Sequence, residues 1–361
     1  MKTVKIGVIG CGGIANNKHM PAYTANKRAE LVAFCDIVEE RAIKANEKFG
    51  NENTKYYTDY KELLKDKSID AVLVLTHNAE HCRITVDALN AGKHVLCEKP
   101  MAMNFEEAKK MIDARDKSGK ILTIGYQNRF RPDAMYLKKL ADEDTFGDIY
   151  YAEATALRRR GVPTWGVFIE EEKQGGGPLI DIGTHALDLT LFVMNNYEPA
   201  YCVGKTFHKL NKQTNTGNMG GDWDIERFTA EDSAFGFVVM KNGALINLRS
   251  SWALNIIESR EAVTLVCGDK AGADMPAMNK VRVNGVMAGR QYVLEPNLEG
   301  GKVDYFGDGG TKPADLEAGC FIGAILGEND LVVTADQAAC VTKILEGIYE
   351  SEKTGKPYYF D

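Results

Sequence analysis

One lysine of this 361-residue chain combines a proton-handling group with a sequence context that would aim it at a ligand. Lys99 follows an apolar strand pattern and precedes Pro100, whose ring restricts the backbone of the residue before it. A cis bond to Pro100 would aim the lysine side chain. An ammonium group there could hydrogen-bond a substrate hydroxyl and stabilise a developing alkoxide. The alternative is an ordinary solvated lysine in a loop.

A carboxylate and an imidazole follow in the second half of the chain. Asp181 and His185 are four residues apart where the apolar spacing predicts a helix, so they share one face, and Asp188 follows on about the same side. A neighbouring carboxylate can orient a histidine and stabilise its charged form, which makes His185 a candidate general base. The alternative is a buried pair with a structural role. The glycine triplet at 175–177 favours a site, because it would let a backbone approach a ligand.

The elements that must position these groups begin at the first residues of the chain. A β-branched run over residues 4–9 leads into Gly10, Gly12 and Ala15, the pattern G-x-G-x-x-A between a strand and a helix. These small residues allow a tight turn, close approach to a pyrophosphate and close helix packing. Asp36 ends the second strand pattern. Its carboxylate could accept hydrogen bonds from the adenosine ribose and would repel a 2′-phosphate, which favours NAD over NADP. The alternative for Asp36 is a plain turn residue.

Strands and helices alternate over residues 1–125, which predicts a parallel, doubly wound Rossmann domain. Ligands of such sheets bind beyond the carboxyl ends of the strands. The residues expected at those ends are 10–13, 36, 76–78, 98–100 and 126–129. Asn78 and its neighbours are interpreted as lining the cofactor, with helix capping by Asn78 and His81 as the alternative.

Residues 77–81 also match H-x-x-E-H, a zinc-peptidase signature. That signature requires both histidines on one face of a continuous helix. His77 directly follows a strand pattern, at a turn into the next helix, so no zinc site is predicted.

The alternation stops after residue 125, and residues 126–361 are predicted to form a substrate-binding and oligomerisation domain. Strand patterns dominate from residue 201 to 283, separated by long polar loops, which indicates a mostly antiparallel sheet. Such a sheet commonly leaves one face free for a partner subunit. Two helix patterns close the chain, at about 313–326 and 334–353, and the final helix is a candidate to pack back towards the first domain.

The composition excludes several classes of protein. The chain is 44% hydrophobic and 26% charged, as in ordinary globular proteins, and its net charge of -7 argues against a nucleic-acid partner or a membrane surface. No apolar run is long enough to span a bilayer, and little chain precedes the first strand for a targeting signal. The eight cysteines are dispersed without C-x-x-C, which predicts reduced thiols and a cytoplasmic location.

Taken in order, five motifs resemble the glucose–fructose oxidoreductase / inositol dehydrogenase / MocA (Gfo/Idh/MocA) family. They are the glycine turn at 10–15, T-x-N with a histidine at 76–81, E-K-P at 98–100, G-Y-Q-x-R at 125–129 and G-G-x-L-x-D-x-G-x-H at 176–185. The resemblance covers nearly the whole chain and implies a Rossmann domain followed by an α/β domain with a large, mostly antiparallel open sheet. It also implies NAD(H) or NADP(H), a sugar, glycoside or cyclitol substrate, and a homo-oligomer formed through the sheet. His77 departs from the proline of many members.

The resemblance implies that Lys99, Asp181 and His185 form the catalytic set. Candidate substrate contacts are Arg158, Arg160 and Trp165, with Asp181 and His185, because an arginine fork and an aromatic face suit a sugar or its aglycone. The candidate cofactor-binding residues are Gly10, Gly12, Gly13, Ile14, Asp36, Ile37, Arg41, Thr76, Asn78, His81, Glu98, Lys99 and Gln127.

The predicted activity is hydride transfer between a secondary hydroxyl, with carbon 3 of a glycoside as one candidate, and NAD. One alternative is redox-neutral glycoside cleavage by oxidation, elimination and return of the hydride. Another is a non-catalytic NAD(H)-binding protein, which the intact set of Lys99, Asp181 and His185 argues against.

Overall fold

A computed structural model describes residues 3–298 and 312–360, and the chain forms two compact units. The first unit contains residues 3–130 together with 312–339, and the second contains 131–298 together with 340–360. This division differs from the domain boundary predicted at residue 125, because a late segment returns to the first unit.

The strands and helices follow the predicted alternation closely. The strands are β1 Val4–Ile9, β2 Ala29–Cys35, β3 Lys55–Tyr57, β4 Ala71–Val74, β5 His94–Cys97, β6 Leu122–Ile124, β7 Ile149–Leu157, β8 Pro199–Phe207, β9 Ser233–Met240, β10 Leu245–Ser251, β11 Arg260–Gly268, β12 Ala271–Asp274, β13 Arg282–Met287, β14 Arg290–Leu294 and β15 Tyr358–Tyr359. The helices are α1 Met20–Ala25, α2 Glu39–Phe49, α3 Tyr60–Lys65, α4 His81–Asn90, α5 Phe105–Ser118, α6 Pro132–Asp142, α7 Glu171–Gln174, α8 Thr184–Met194, α9 Pro313–Leu326 and α10 Ala335–Thr354. Two short π-helical segments, Ala15–His19 and Leu179–Gly183, lead into α1 and α8.

The first unit is built on a six-stranded parallel sheet in the order β3-β2-β1-β4-β5-β6. This is the strand order of a doubly wound dinucleotide-binding fold, and the order reverses between β1 and β4. The predicted Rossmann sheet is confirmed.

Helix α9 belongs to the first unit because its apolar residues complete that unit's core. Ala318, Phe321 and Ile322 are buried in the same cluster as Ile6 and Val8 of β1. A helix that is apolar nearly all round must be covered on most of its surface. The sequence pattern alone does not indicate which of the two sheets such a helix packs on.

The second unit is built on a nine-stranded sheet in the order β14-β13-β12-β11-β7-β10-β9-β8-β15. Its described strand pairs are antiparallel except β7 with β10, so the predicted mostly antiparallel sheet is confirmed. Helix α8 packs on β7 and β11, and the hydroxyl of Thr190 donates to that of Thr264 at 2.9 Å across this buried interface.

No helix within the described residues is both long and apolar enough to cross a membrane. All eight cysteines fall within the described ranges, and each is a free thiol.

Candidate functional site

The sequence-predicted groups of the first unit lie at one edge of its parallel sheet. Gly10 follows β1, Asp36 follows β2, Thr76 follows β4, Lys99 follows β5 and Gln127 follows β6. Because all six strands run in the same direction, these five positions stand at the carboxyl edge, where such sheets bind ligands.

The glycine turn and Asp36 are joined directly. Gly10 has φ of +95°, and a Cβ there would lie 2.6 Å from the carbonyl oxygen of Leu75, so only glycine fits. Asp36 is buried, and its two carboxylate oxygens accept the backbone N–H groups of Cys11 and Val38, each at 2.9 Å. Each oxygen retains acceptor capacity for a further donor, such as a ribose hydroxyl.

The rest of the glycine loop leaves space for an anion. A Cβ added to Gly12 or Gly13 would meet no protein atom within 4 Å. The loop leads into the π-helical segment Ala15–His19, where Ala15 is fully buried against the core. The arrangement of a close turn, an open glycine pair and a helical start fits the pyrophosphate of a dinucleotide.

Lys99 is half-buried, and the residue before it holds its backbone in place. The carboxylate of Glu98 is buried and accepts the Lys99 N–H at 3.0 Å, the Lys18 ammonium at 2.9 Å and a contact from the His19 ring at 2.6 Å. Lys18 also pairs with Glu317 at 3.0 Å. Burial raises the pKa of Glu98, but Lys18 and His19 outweigh it and hold that pKa well below its usual value.

Glu98 was predicted to bind the cofactor; both of its oxygens accept hydrogen bonds within the protein, and contact with a cofactor stays a prediction. An ionised carboxylate with three partners fixes the start of the loop that carries Lys99. The peptide bond between Lys99 and Pro100 is cis, as the sequence suggested.

The segment after β4 does not have zinc-peptidase geometry. His77 has an extended backbone, residues 78–80 form a 3₁₀ turn and α4 begins at His81. The ring of His81 is fully buried and lies 2.8 Å from the carbonyl oxygen of Pro100 and 3.1 Å from that of Thr76. It therefore ties the segment after β4 to the segment after β5, while Asn78 is also buried.

The other predicted cofactor residues differ in exposure. Ile37 is 88% exposed directly after Asp36, Ile14 is also exposed, Arg41 is exposed on the first turns of α2, and Gln127 is half-buried. An exposed apolar side chain beside Asp36 could cover a flat aromatic base. Contact of these residues with a cofactor stays a prediction.

Within the second unit, Asp181 lies in the π-helical segment Leu179–Gly183 and His185 in the first turn of α8. The predicted helix is present, but its start is wider than an α-helix, because Thr184 N–H bonds to Leu179 O. The indole N–H of Trp252 donates to Asp181 Oδ2 at 2.9 Å. Asp181 and His185 are partly exposed, as groups that meet a substrate must be.

The glycine triplet before this helix is explained by protein neighbours. A Cβ at Gly176, where φ is +155°, would lie 2.0 Å from the Tyr349 hydroxyl, and one at Gly177 would lie 2.2 Å from the Glu231 carbonyl oxygen. Close packing of Tyr349 and Glu231 therefore accounts for Gly176 and Gly177, and approach of a ligand to the triplet stays a prediction.

The predicted substrate arginines have partners within the protein. Arg158 makes a two-pronged ion pair with Glu261, at 2.6 and 2.5 Å. The guanidinium of Arg160 donates to four acceptors in neighbouring loops, which engages most of its donors. Trp165, 63% exposed, keeps a free aromatic face. The structure thus gives Arg160 a role in loop organisation that its residue type did not reveal.

Sequence reasoning missed Trp252, Glu231 and Lys18, which contact the candidate residues from distant segments. No motif marks them, because each acts through a contact that only the folded chain creates.

This parallel sheet, with a glycine turn and an acid at its carboxyl edge, defines a dinucleotide-binding Rossmann protein. Residues 4–126 match the family described as "Oxidoreductase family, NAD-binding Rossmann fold", and residues 134–273 match the "GFO/IDH/MocA C-terminal domain". The chain belongs to the GFO/IDH/MocA oxidoreductase family, which confirms the resemblance.

Named relatives extend the match over the whole chain. The sequence is 35% identical to the D-glucoside 3-dehydrogenase of Escherichia coli (strain K12), over 98% of this chain and 96% of that one. It is 30% identical to the glucose-6-phosphate 3-dehydrogenase of Bacillus subtilis (strain 168), over 68% and 67%. The structure of a levoglucosan dehydrogenase in complex with NADH and levoglucosan is similar, with a TM-score of 0.83 and 21% identity over 99% of each chain, which shows a shared fold.

Proposed function

We propose that this protein is an NAD-dependent dehydrogenase that oxidises a secondary hydroxyl of a sugar or glycoside, with carbon 3 of a D-glucoside as the favoured position. The supporting observation is the 35% identity to a D-glucoside 3-dehydrogenase along nearly the full length of both chains. A cyclitol is the next candidate substrate, since a myo-inositol 2-dehydrogenase of Thermotoga maritima is 31% identical over 67% of this chain.

The first unit would hold the cofactor through residues at the carboxyl edge of its sheet. Gly12 and Gly13 leave room for the pyrophosphate, and Asp36 would accept hydrogen bonds from the ribose hydroxyls. Bound NAD⁺ supplies a hydride acceptor. Glu98 and His81 would keep the Lys99 loop in shape beside it.

The proton of the oxidised hydroxyl would be handled by three side chains. We assign His185 as the base that takes the proton, Asp181 as the carboxylate that orients its ring, and Lys99 as the ammonium that hydrogen-bonds the same oxygen. Trp252 holds Asp181 by a hydrogen bond of 2.9 Å, which restricts the rotation of the carboxylate. Trp165 offers an exposed aromatic face for a sugar or aglycone.

The test is a substrate panel of alkyl and aryl D-glucosides, free sugars, sugar phosphates and inositols with NAD⁺. Formation of NADH with a 3-keto glycoside, identified by mass spectrometry, would support the proposal. Release of an aglycone without net NADH would instead indicate redox-neutral cleavage. Purified protein is first examined for retained cofactor, because tightly held NAD would require an added keto-sugar acceptor.

Asp36 is expected to set the choice of cofactor. Asp36→Asn keeps an acceptor oxygen for the turn but removes the charge, so the KM for NAD⁺ should rise about 10-fold or more, while kcat changes less. The measurement is kcat/KM for NAD⁺ and NADP⁺, whose ratio should move towards NADP⁺ in the variant. Asp70→Asn is the control, since Asp70 also accepts a backbone N–H, from Lys5 at 2.9 Å. Equal use of both cofactors by the wild type would contradict this role.

We propose further that the second unit's sheet forms a homo-oligomer. Its outward side carries exposed apolar residues on β8 and β9, with Val203 41% and Phe237 51% exposed. Phe207 and Phe235 extend this surface by an edge contact between their rings. Exposed apolar residues grouped on neighbouring strands are typical of a protein–protein interface.

Phe237→Lys should therefore convert the oligomer to a monomer, because a charge would be buried at the interface. Light scattering after size-exclusion chromatography measures the mass. Met278→Lys, at an exposed apolar residue between β12 and β13, is the control and should leave the mass unchanged. A wild type that is already monomeric at micromolar concentration would refute the proposal.

A further inference from the structure

We propose that Glu231, assisted by Tyr349, is a positioning residue for Asp181 and His185, because its buried carboxylate fixes the start of the helical segment that carries them. The inference rests on the proposed function of that pair, and it concerns two residues outside every motif of the sequence. All groups involved belong to the second unit.

The carboxylate of Glu231 caps the segment from a distant loop. Its Oε2 accepts the N–H of Gly177 at 2.7 Å, and its Oε1 accepts the N–H of Leu179 at 3.2 Å. These are N–H groups at a helix start, which have no partner within the helix. The segment Leu179–Gly183 then runs directly into α8, so its first turn determines where Asp181 and His185 begin.

Tyr349 of α10 fixes the carboxylate in turn. Its hydroxyl donates to Glu231 Oε1 at 2.9 Å, and it packs so closely on Gly176 that no Cβ could stand there. The pair therefore occupies the space that the glycine triplet provides. Because Glu231 accepts two backbone N–H groups and Tyr349 fixes its carboxylate, the start of the helix has little freedom to rotate.

The residue next to Glu231 fixes the same helix at a second point. The carbonyl oxygen of Asp232 accepts the backbone N–H of Trp252 at 3.1 Å, and the indole of Trp252 donates to Asp181 at 2.9 Å. Ser250, two residues before Trp252, donates its hydroxyl to the Pro178 carbonyl oxygen at 2.7 Å. Glu231 thus holds the backbone at the start of the segment, and Asp232 holds Trp252, which in turn holds the carboxylate of Asp181.

The environment of Glu231 indicates which replacement should preserve the cap. Burial raises the pKa of Glu231 to about 7, against the lowering by the Gly177 N–H and the Tyr349 hydroxyl. Glu231→Gln keeps the shape and one acceptor oxygen, while its NH2 group cannot accept the other backbone N–H, so it keeps part of the cap. Glu231→Gln is therefore the conservative variant, and Glu231→Ala removes the cap.

The experiment measures kcat and KM of the full-length protein with NAD⁺ and the best substrate of the panel. Glu231→Ala should lower kcat about 20-fold or more, with both KM values within about 3-fold, because a misplaced base loses catalysis and not binding. Glu231→Gln, which keeps one acceptor oxygen, should lose less kcat than Glu231→Ala, and Tyr349→Phe should also give an intermediate loss. An unchanged kcat in Glu231→Ala would overturn the inference.

Thr334→Ala is the matched control, since Thr334 caps α10 by accepting the Gln337 N–H at 3.3 Å. It should lower the melting temperature without lowering kcat, which separates positioning from general stability. If Glu231→Ala does not fold, the variants Glu231→Gln and Tyr349→Phe decide. The inference is overturned if Tyr349→Phe has the kcat of the wild type and Glu231→Gln folds no better than Glu231→Ala.

Hydrogen exchange keeps the inference testable if the wild type oxidises no carbohydrate. That result would refute the proposed function, while faster exchange of the amides at 177–185 in Glu231→Ala would still support the positioning. Exchange in that segment equal to the wild type would overturn it.

Discussion

Replacing His185 by alanine is expected to lower kcat about 100-fold to 10,000-fold while NAD⁺ remains bound, because general-base catalysis contributes effects of that size. A loss of 100-fold corresponds to about 2.7 kcal/mol of transition-state stabilisation. His185 is half-buried and lies in the first turn of α8, after the segment in which Trp252 holds Asp181. Removal of the imidazole should not disturb the glycine turn, because that turn belongs to the first unit. Stopped-flow measurement of NADH formation gives kcat, and fluorescence titration gives the affinity for NADH.

The matched control is His208→Ala, which removes an exposed histidine of the same unit and should leave kcat within about 2-fold of the wild type. Added imidazole should partly rescue His185→Ala, since a diffusible base can replace the missing one. A His185→Ala variant with wild-type turnover would remove His185 from the mechanism.

The parallel half of the fold could be predicted because local sequence determines it. The apolar runs of β1 and β4 are typical of buried parallel strands, and the glycine turn is typical of the carboxyl end of such a strand. Gly10 and Asp36 are adjacent in the fold because β1 and β2 are adjacent in the sheet, and the pattern of strands contained that information.

The supports of the candidate groups could not be predicted, because they depend on contacts between segments far apart in the chain. Glu98 lies in a motif that suggested cofactor binding, and its partner Lys18, which also pairs with Glu317 of α9, comes from the helical segment Ala15–His19. A carboxylate removed from water needs charged partners, and Lys18 is one that the sequence pattern did not indicate. The partners of Arg160 could not be predicted either, because its guanidinium donates to carbonyl oxygens of distant loops.

The glycine triplet shows that a pattern can be predicted while its protein neighbours cannot. Glycine at 176 and 177 does indicate close approach, as the sequence analysis assumed, but the approaching groups are Tyr349 and Glu231. The glycines in a sequence indicate that another group approaches the backbone closely, but they do not identify that group. The structure therefore shifts attention from the triplet itself to the buried pair that packs on it.

Lys99→Ala is expected to lower kcat at least about 100-fold, because the ammonium would no longer stabilise the developing alkoxide. The loop around it should persist, since Glu98 accepts the backbone N–H of residue 99, which the substitution retains. Lys120→Ala serves as the control, a partly exposed lysine of the same unit at the opposite edge of the sheet, before β6. An added primary amine should restore part of the lost rate.

The double variant Lys99→Ala/His185→Ala tests whether the two side chains serve one hydroxyl. Groups that act on the same oxygen in the same step are strongly non-additive, so the double variant should lose about as much kcat as the worse single variant. Multiplication of the two single losses would mean that the groups act independently, and Lys99 would then be reassigned to binding. Because NADH affinity is measured for all four proteins, a loss of cofactor would be recognised as a separate effect, and only the non-additive result supports a shared role in proton transfer.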